Sequence, residues 1–117
     1  MRKGGILFIL ISLFLTNNVF GQDTIQPQPK ASFAKNAEMF SKGLEYKFSE
    51  NFDVAIEYFE KALKAFPDDH ASMYELSALY RMKNLPEQGF EMIKNAVELD
   101  STNKWYKIRL AEFYALN

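Results

Sequence analysis

The strongest constraint in this chain is a set of similar residues that recur every 34 positions. Three tyrosines are spaced by this interval, and a small residue lies three positions before each of them. They are Tyr46, Tyr80 and Tyr114, preceded by Gly43, Ser77 and Ala111. A fixed period of about 20 to 50 residues is typical of stacked repeat units, each too small to bury a core alone. The chain is therefore expected to fold as an array of similar units.

The spacing inside one period indicates helices. Ala55, Phe59 and Ala62 follow an i, i+4, i+7 pattern, which places them on one helical face. Gly43 and Tyr46 are three positions apart and share the face of another helix. Small residues opposite large ones favour a close antiparallel helix pair. The pattern predicts an all-α fold with five helices, at about 33–48, 52–65, 70–83, 86–99 and 103–116.

Polar residues at the joints predict where the helices begin. Asn51 and Asp69 are expected to be N-caps of the second and third helices. Asn84 followed three positions later by Glu87 predicts a capping box for the fourth. The polar stretch 101–103 marks the start of the last helix.

The repeated residues resemble the tetratricopeptide repeat family, whose pattern is W-x2-L-G-x2-Y, then A-x3-F, then P over about 34 residues. The units are 36–69, 70–103 and a half repeat, 104–117. Met39 and Lys42 replace the family's Trp and Leu in the first unit, and Ser101 replaces the Pro in the second. The resemblance implies an α-α superhelix of about two and a half repeats in residues 32–117. Its motif positions here are Gly43, Tyr46, Ala55, Phe59, Ala62, Pro67, Ser77, Tyr80, Gly89, Ala96, Ala111 and Tyr114.

The same resemblance implies binding of a protein or peptide segment along a concave groove lined by the first helix of each unit. The residues expected there are largely apolar or aromatic: Phe40, Leu44, Lys47, Phe48, Tyr74, Arg81, Met82, Trp105 and Ile108. A groove of this kind suits a helix or an extended apolar segment. A second interpretation stays open. Phe40, Tyr74 and Ile108 recur at the repeat interval, which also suits packing between neighbouring first helices, and Lys47 and Arg81 also suit a solvated role.

Residues 1–21 have the pattern of a secretory signal peptide. Arg2 and Lys3 precede a ten-residue run, 6–15, that is apolar except for one serine. Val19 and Gly21 suit cleavage before Gln22. Ten helical residues span only about 15 Å, half of a ~30 Å hydrocarbon core, so an uncleaved anchor or a buried core helix is the weaker interpretation. We expect export to the periplasm or the medium, with residues 22–31 as a polar linker.

The composition excludes several classes of function. The 117 residues include no cysteine and one histidine, and the formal net charge is −1. Disulfides, thiolate sites, a Cys nucleophile and a lipid-anchored Cys are therefore excluded. A near-neutral charge argues against nucleic acid as a partner. No catalytic or phosphate-binding motif is present, so the sequence predicts a scaffold with no enzyme activity, cofactor or metal.

The last predicted helix is unusually apolar for the end of an array. Nine of the fourteen residues in 104–117 are apolar or aromatic, and the four charges do not share a face. Terminal repeats normally have a polar outer face. Three interpretations follow: the chain is the N-terminal arm of a longer exported protein, it self-associates through 104–117, or this helix is a true cap.

Overall fold

The computed structural model describes residues 30–116, which form five α-helices joined by short turns. They are α1 (Lys30–Phe48), α2 (Phe52–Ala65), α3 (His70–Met82), α4 (Pro86–Leu99) and α5 (Lys104–Ala115). This part of the chain contains no strand, and the predicted all-α helical repeat fold is confirmed. The predicted signal peptide and most of the predicted linker lie outside the described residues. Within 30–116, no helix has both the length and the apolar character needed to cross a bilayer.

The helix bounds match the predicted ones within one residue, except at the start of α1. This helix begins at Lys30, so Lys30 and Ala31, which the sequence analysis assigned to the linker, are helical. Both residue types favour helix. A tertiary contact also secures this turn, because the ring of Phe33 lies 4.9 Å from that of Phe66, just after α2.

The predicted N-cap residues of α2 and α3 are confirmed, the polar stretch 101–103 precedes α5 as predicted, and the capping box predicted for α4 is wrong. The Asp69 carboxylate accepts a hydrogen bond from the Ser72 amide at 3.1 Å, and the Asn103 side chain caps α5. Asn51 occupies the N-cap position of α2, but its side chain makes no capping bond. The capping box at Asn84 is absent, because the N-cap of α4 is Leu85.

Asn84 instead ends α3 in a turn that repeats the one after α1. Glu50 and Asn84, at equivalent positions of successive units, both adopt the left-handed conformation, with φ of 61° and 59°. The following amides donate to equivalent carbonyls, Asn51 to Tyr46 at 2.9 Å and Leu85 to Tyr80 at 2.8 Å. This is the Schellman arrangement, which satisfies the last carbonyls of a helix. The repeat in the sequence therefore extends to the backbone of the turn.

The Asp69 cap also ties the first unit to the second. Its carboxylate accepts a bond from the Asn36 amide at 2.7 Å, and the same amide group donates to the Ala62 carbonyl at 3.0 Å. One side-chain pair therefore links α1, the end of α2 and the start of α3.

Replacing Asp69 by alanine is expected to lower the free energy of unfolding by about 2 kcal/mol, since the cap and the bond to Asn36 are both lost. The midpoint of thermal unfolding should fall by about 10 °C for a domain of this size. Asp68→Ala is the matched control, because only the backbone carbonyl of this exposed neighbour is engaged. Equal melting temperatures for the two variants would contradict the proposed role of the cap.

Two clusters of buried side chains form the core. One joins Ala55 and Phe59 of α2 to Leu76 and Leu79 of α3. The other joins α3, α4 and α5 through Met73, Ile93, Ala96, Tyr106 and Phe113. Each cluster spans the boundary between one unit and the next, so packing against a neighbour completes the core of each unit.

Candidate protein-binding surface

Three of the predicted groove residues are partly buried by contacts between helices. The ring of Phe40 meets that of Phe59 edge-on at 5.5 Å, and Leu44 packs against the same buried cluster. Tyr74 stacks on Tyr106 with ring centroids 5.1 Å apart. The Tyr74 contact corresponds to the packing between neighbouring first helices that the sequence analysis left open, whereas the Phe40 ring meets the second helix of its own unit.

The two predicted basic groove residues each face a carboxylate from the next first helix. The Lys47 ammonium lies 2.6 Å from a Glu75 carboxylate oxygen, and Arg81 lies 3.8 Å from Glu112. The Arg81 guanidinium also lies over the Phe113 ring at 5.3 Å. These pairs connect α1 to α3 and α3 to α5. Lys47 and Arg81 are therefore not a free site for an anion.

Arg109 belongs to this network, although the sequence analysis did not select it. Its guanidinium donates a hydrogen bond to the Tyr74 hydroxyl at 2.9 Å and lies 4.3 Å from the centre of that ring. It also lies 3.5 Å from the Glu112 carboxylate. The equivalent position in the second unit is Glu75, of opposite charge, so the repeat carries no signal that would have identified Arg109.

A tyrosine and the single histidine complete the contact between α3 and α5. The Tyr106 hydroxyl lies 2.8 Å from Nδ1 of His70, and Tyr106 is only 6% exposed. Burial, followed by the nearby charges of Asp100 and Asp69, raises the pKa of this phenol above its ordinary value. The hydroxyl therefore remains protonated and uncharged at neutral pH.

An exposed apolar row runs along the ends of the three first helices. Phe48, Met82 and Leu116 occupy the same position of successive units, and they are 78%, 55% and 70% exposed. Phe48 and Met82 are the last residues of α1 and α3, and Leu116 directly follows α5. The repeat thus presents a large apolar side chain to solvent at this position in every unit. We call these three residues the apolar row.

Phe48 and Met82 of the apolar row are among the residues predicted to face the groove. One more repeat period from Met82 leads to Leu116, which the sequence analysis did not assign to the groove. Leu116 was instead considered part of the apolar last helix. The basic residues Lys47 and Arg81 directly precede Phe48 and Met82 in the chain, so their ion pairs lie beside the row. The Lys47 ammonium lies 5.9 Å from the centre of the Phe48 ring.

The remaining predicted groove residues, Trp105 and Ile108, lie on α5 and are 59% and 48% exposed. The structure does not bring them into the network that holds Lys47, Tyr74 and Arg81. They lie on the side of α5 that no other described helix covers.

A charged cavity of about 570 Å³ lies between α1 and α2. Four lysines reach it, together with Glu38, which pairs with Lys42 at 3.2 Å and Lys35 at 3.8 Å. The hydrogen bond from Lys42, and then the charges of both lysines, lower the pKa of Glu38. The cavity is lined by Lys35, Glu38, Met39, Lys42, Tyr58, Lys61, Lys64 and Ala65. Within residues 30–116, no three acidic or histidine side chains converge as metal ligands do.

Part of the chain matches a known family. Residues 39–69 match the model of the tetratricopeptide repeat, over the second half of α1, all of α2 and the turn that follows. No curated protein matches the chain significantly. The matched unit contains Gly43, Ala55 and Phe59, whose contacts define the first helix pair, and the second unit repeats its helices and its turn. The family match and the five-helix repeat together support a tetratricopeptide repeat protein.

Proposed function

We propose that this chain is an exported scaffold that binds a segment of another protein and has no catalytic activity of its own. Tetratricopeptide repeats suggest a role in protein–protein interaction, and residues 39–69 match that family. The observation that carries the proposal is the apolar row. Three large apolar side chains exposed at the same position of successive units form a surface that a partner can cover.

The row can supply binding energy because its side chains are far from buried in the free protein. Full burial of one such side chain contributes roughly 1.5–3 kcal/mol, so partial burial of three supports a complex even after the cost of association. The neighbouring ion pairs, Lys47–Glu75 and Arg81–Glu112, are already formed within the chain. We infer that they fix the spacing of the row, while the partner contributes apolar side chains at matching intervals.

The export part of the proposal is supported by residues 1–21, with their basic start, apolar run and small residues before Gln22. Mass spectrometry of the protein recovered outside the cytoplasm tests it. The expected species begins at Gln22. A chain that retains residues 1–21 would contradict cleavage and favour an uncleaved anchor.

Site-specific photo-crosslinking in the source cells tests binding at the row. A photo-reactive amino acid replaces Met82 in one variant and Glu57, an exposed residue of α2, in the control. Met82 should give a discrete adduct with one partner that the position of Glu57 does not give. With that partner purified, Phe48→Ser combined with Met82→Ser should weaken binding at least tenfold, about 1.4 kcal/mol. Equal adducts at both positions, or unchanged affinity, would refute the row as the binding surface.

A second candidate function is favoured by the exposed side of α5, where Trp105 and Ile108 are about half accessible. In this alternative the chain is the N-terminal arm of a longer exported protein whose activity or sensing role lies beyond residue 117. Reading the gene after the codon for Asn117 tests it, since an immediate stop codon would eliminate the arm.

A further inference from the structure

The burial of equivalent positions shows how each unit uses its neighbours. Three positions of each first helix face the preceding unit. They are buried in α3 and largely buried in α5, but in α1, with no described helix before it, two of the three are exposed and all three are charged. The three sets are Glu38, Lys42 and Glu45, then Ser72, Leu76 and Leu79, then Tyr106, Leu110 and Phe113. Because Glu38, Lys42 and Glu45 are charged, this side of α1 is suited to contact with water.

The opposite end of the described array is different. Two other positions of each first helix face the second helix of the same unit. Met39 and Gly43 are buried under α2, and the equivalent Met73 and Ser77 are buried under α4. The third pair, Lys107 and Ala111 of α5, is exposed, because no described helix follows α5.

This side of α5 carries large apolar side chains beside Lys104 and Lys107, with Glu112 at its edge paired to Arg81 and Arg109. Helical geometry places it opposite the buried Tyr106 and Phe113, with Ile108 and Ala111 near its centre. Trp105, 59% exposed, flanks it on one side, and Tyr114, 63% exposed, flanks it on the other. We call it the open face of α5, with the members Lys104, Trp105, Lys107, Ile108, Ala111, Tyr114 and Ala115.

The chain itself shows twice what covers such a face. In the first unit α2 presents Ala55, Phe59 and Ala62, all fully buried, and in the second α4 presents Gly89, Ile93 and Ala96. The shared pattern is a small residue, a large apolar residue four positions on, and alanine three positions after that. The turns of only a few residues make both helix pairs antiparallel.

We propose that the open face of α5 docks an amphipathic helix of another protein, antiparallel to α5 and carrying this same pattern. Lys107 occupies the position that Met39 and Met73 occupy in the first two units, so we expect an acidic residue opposite it on the partner helix. In the first unit Met39 lines a cavity together with Ala65, which lies three positions after the last alanine of the α2 pattern. The acidic residue of the partner is therefore expected three positions after the last alanine of its own pattern. A second copy of this chain is not the occupant, because its two helices of this pattern are already packed in their own units. The open face and the apolar row have no residue in common, and the inference does not depend on the proposed function.

A peptide with the sequence of residues 52–66 and the change Ala65→Glu is the probe. Trp105 is the single tryptophan of the chain, so its fluorescence reports docking at α5 and not at the occupied α1. Adding the peptide to the purified protein should shift the emission to shorter wavelength in a saturable way. Ala111→Glu, at an exposed position, should weaken binding at least tenfold without changing thermal unfolding. Gln88→Glu, on the exposed side of α4, should leave binding unchanged.

Three results would overturn the proposal. They are no fluorescence change, equal affinity for the wild type and Ala111→Glu, and a dimer in light scattering that already has a blue-shifted Trp105 without peptide. A helix of the same pattern encoded directly after Asn117 would also overturn it, since the occupant would then belong to this chain. Met82→Ser should bind the peptide normally, and this variant separates a failure at the open face from a failure at the apolar row.

Discussion

Replacing Gly43 by leucine is expected to unfold the first helical unit. A Cβ atom added at Gly43 would lie 2.7–2.9 Å from three carbon atoms of the Phe59 ring. Phe59 is fully buried and its ring cannot move aside without displacing its neighbours. Overfilling of a packed core costs about 1–3 kcal/mol, and a leucine at this contact should reach the upper end of that range or exceed it. We expect the midpoint of thermal unfolding to fall by about 15 °C or more.

Ser41→Leu is the matched control for this variant, because it makes a side chain of the same size at an exposed position of the same helix. It should change the free energy of unfolding by no more than about 0.5 kcal/mol. Ala62→Phe, at a fully buried position of α2, should behave like Gly43→Leu. If Gly43→Leu melts like the Ser41 control, the alignment of the two helices described here is wrong.

Replacing Gly89 by alanine is expected to destabilise the second unit, although alanine favours helix over glycine by about 1 kcal/mol. A Cβ atom at Gly89 would lie 2.7 Å from the Ser77 carbonyl oxygen and 2.9 Å from the Phe113 ring. The nearer neighbour is backbone of α3, so relief requires the two helices to separate. We expect a net loss of about 2 kcal/mol in the free energy of unfolding, read from urea titration.

Gln88→Ala isolates the effect of helix propensity, since Gln88 is exposed in the same turn of α4. This control should have nearly the stability of the wild type. A Gly89→Ala protein as stable as the control, or more stable, would show that α3 and α4 tolerate a wider separation. The substitution also affects the packing of α5, because the Phe113 ring is the second neighbour of Gly89.

The helices and their pairing could be predicted because both depend on local spacing. Ala55, Phe59 and Ala62 define a helical face from their intervals alone. Gly43 has to lie beside a large residue of the partner helix, since a small residue in this repeat position permits a close approach, and the structure places Phe59 there. The capping box at Asn84 failed because two local signals compete. Asparagine is suited both to an N-cap and to the left-handed end of a helix, and the preceding helix determines which applies.

The contacts of the candidate binding surface were less predictable. Lys47 meets Glu75 and Arg81 meets Glu112, although Glu75 and Glu112 do not occupy equivalent positions of their units. The repeat interval does not identify these partners, because long side chains reach across to different turns of the next helix. Arg109 and its contact with Tyr74 have no counterpart in the other units for the same reason. The members of the apolar row point directly to solvent, need no particular partner from another unit, and keep the interval of the repeat.

The sequence by itself determined that this chain is a helical repeat, because helical spacing and a recurring small-large pattern are properties of consecutive residues. It also showed that residues 104–117 are rich in apolar and aromatic side chains. Only the tertiary structure decided which side of that helix is covered. Tyr106 and Phe113 are buried against the second unit, whereas Trp105, Ile108 and Tyr114 remain accessible. The reason is that burial of a helical face depends on a neighbouring element, and the neighbour of each face becomes known only when the units are stacked.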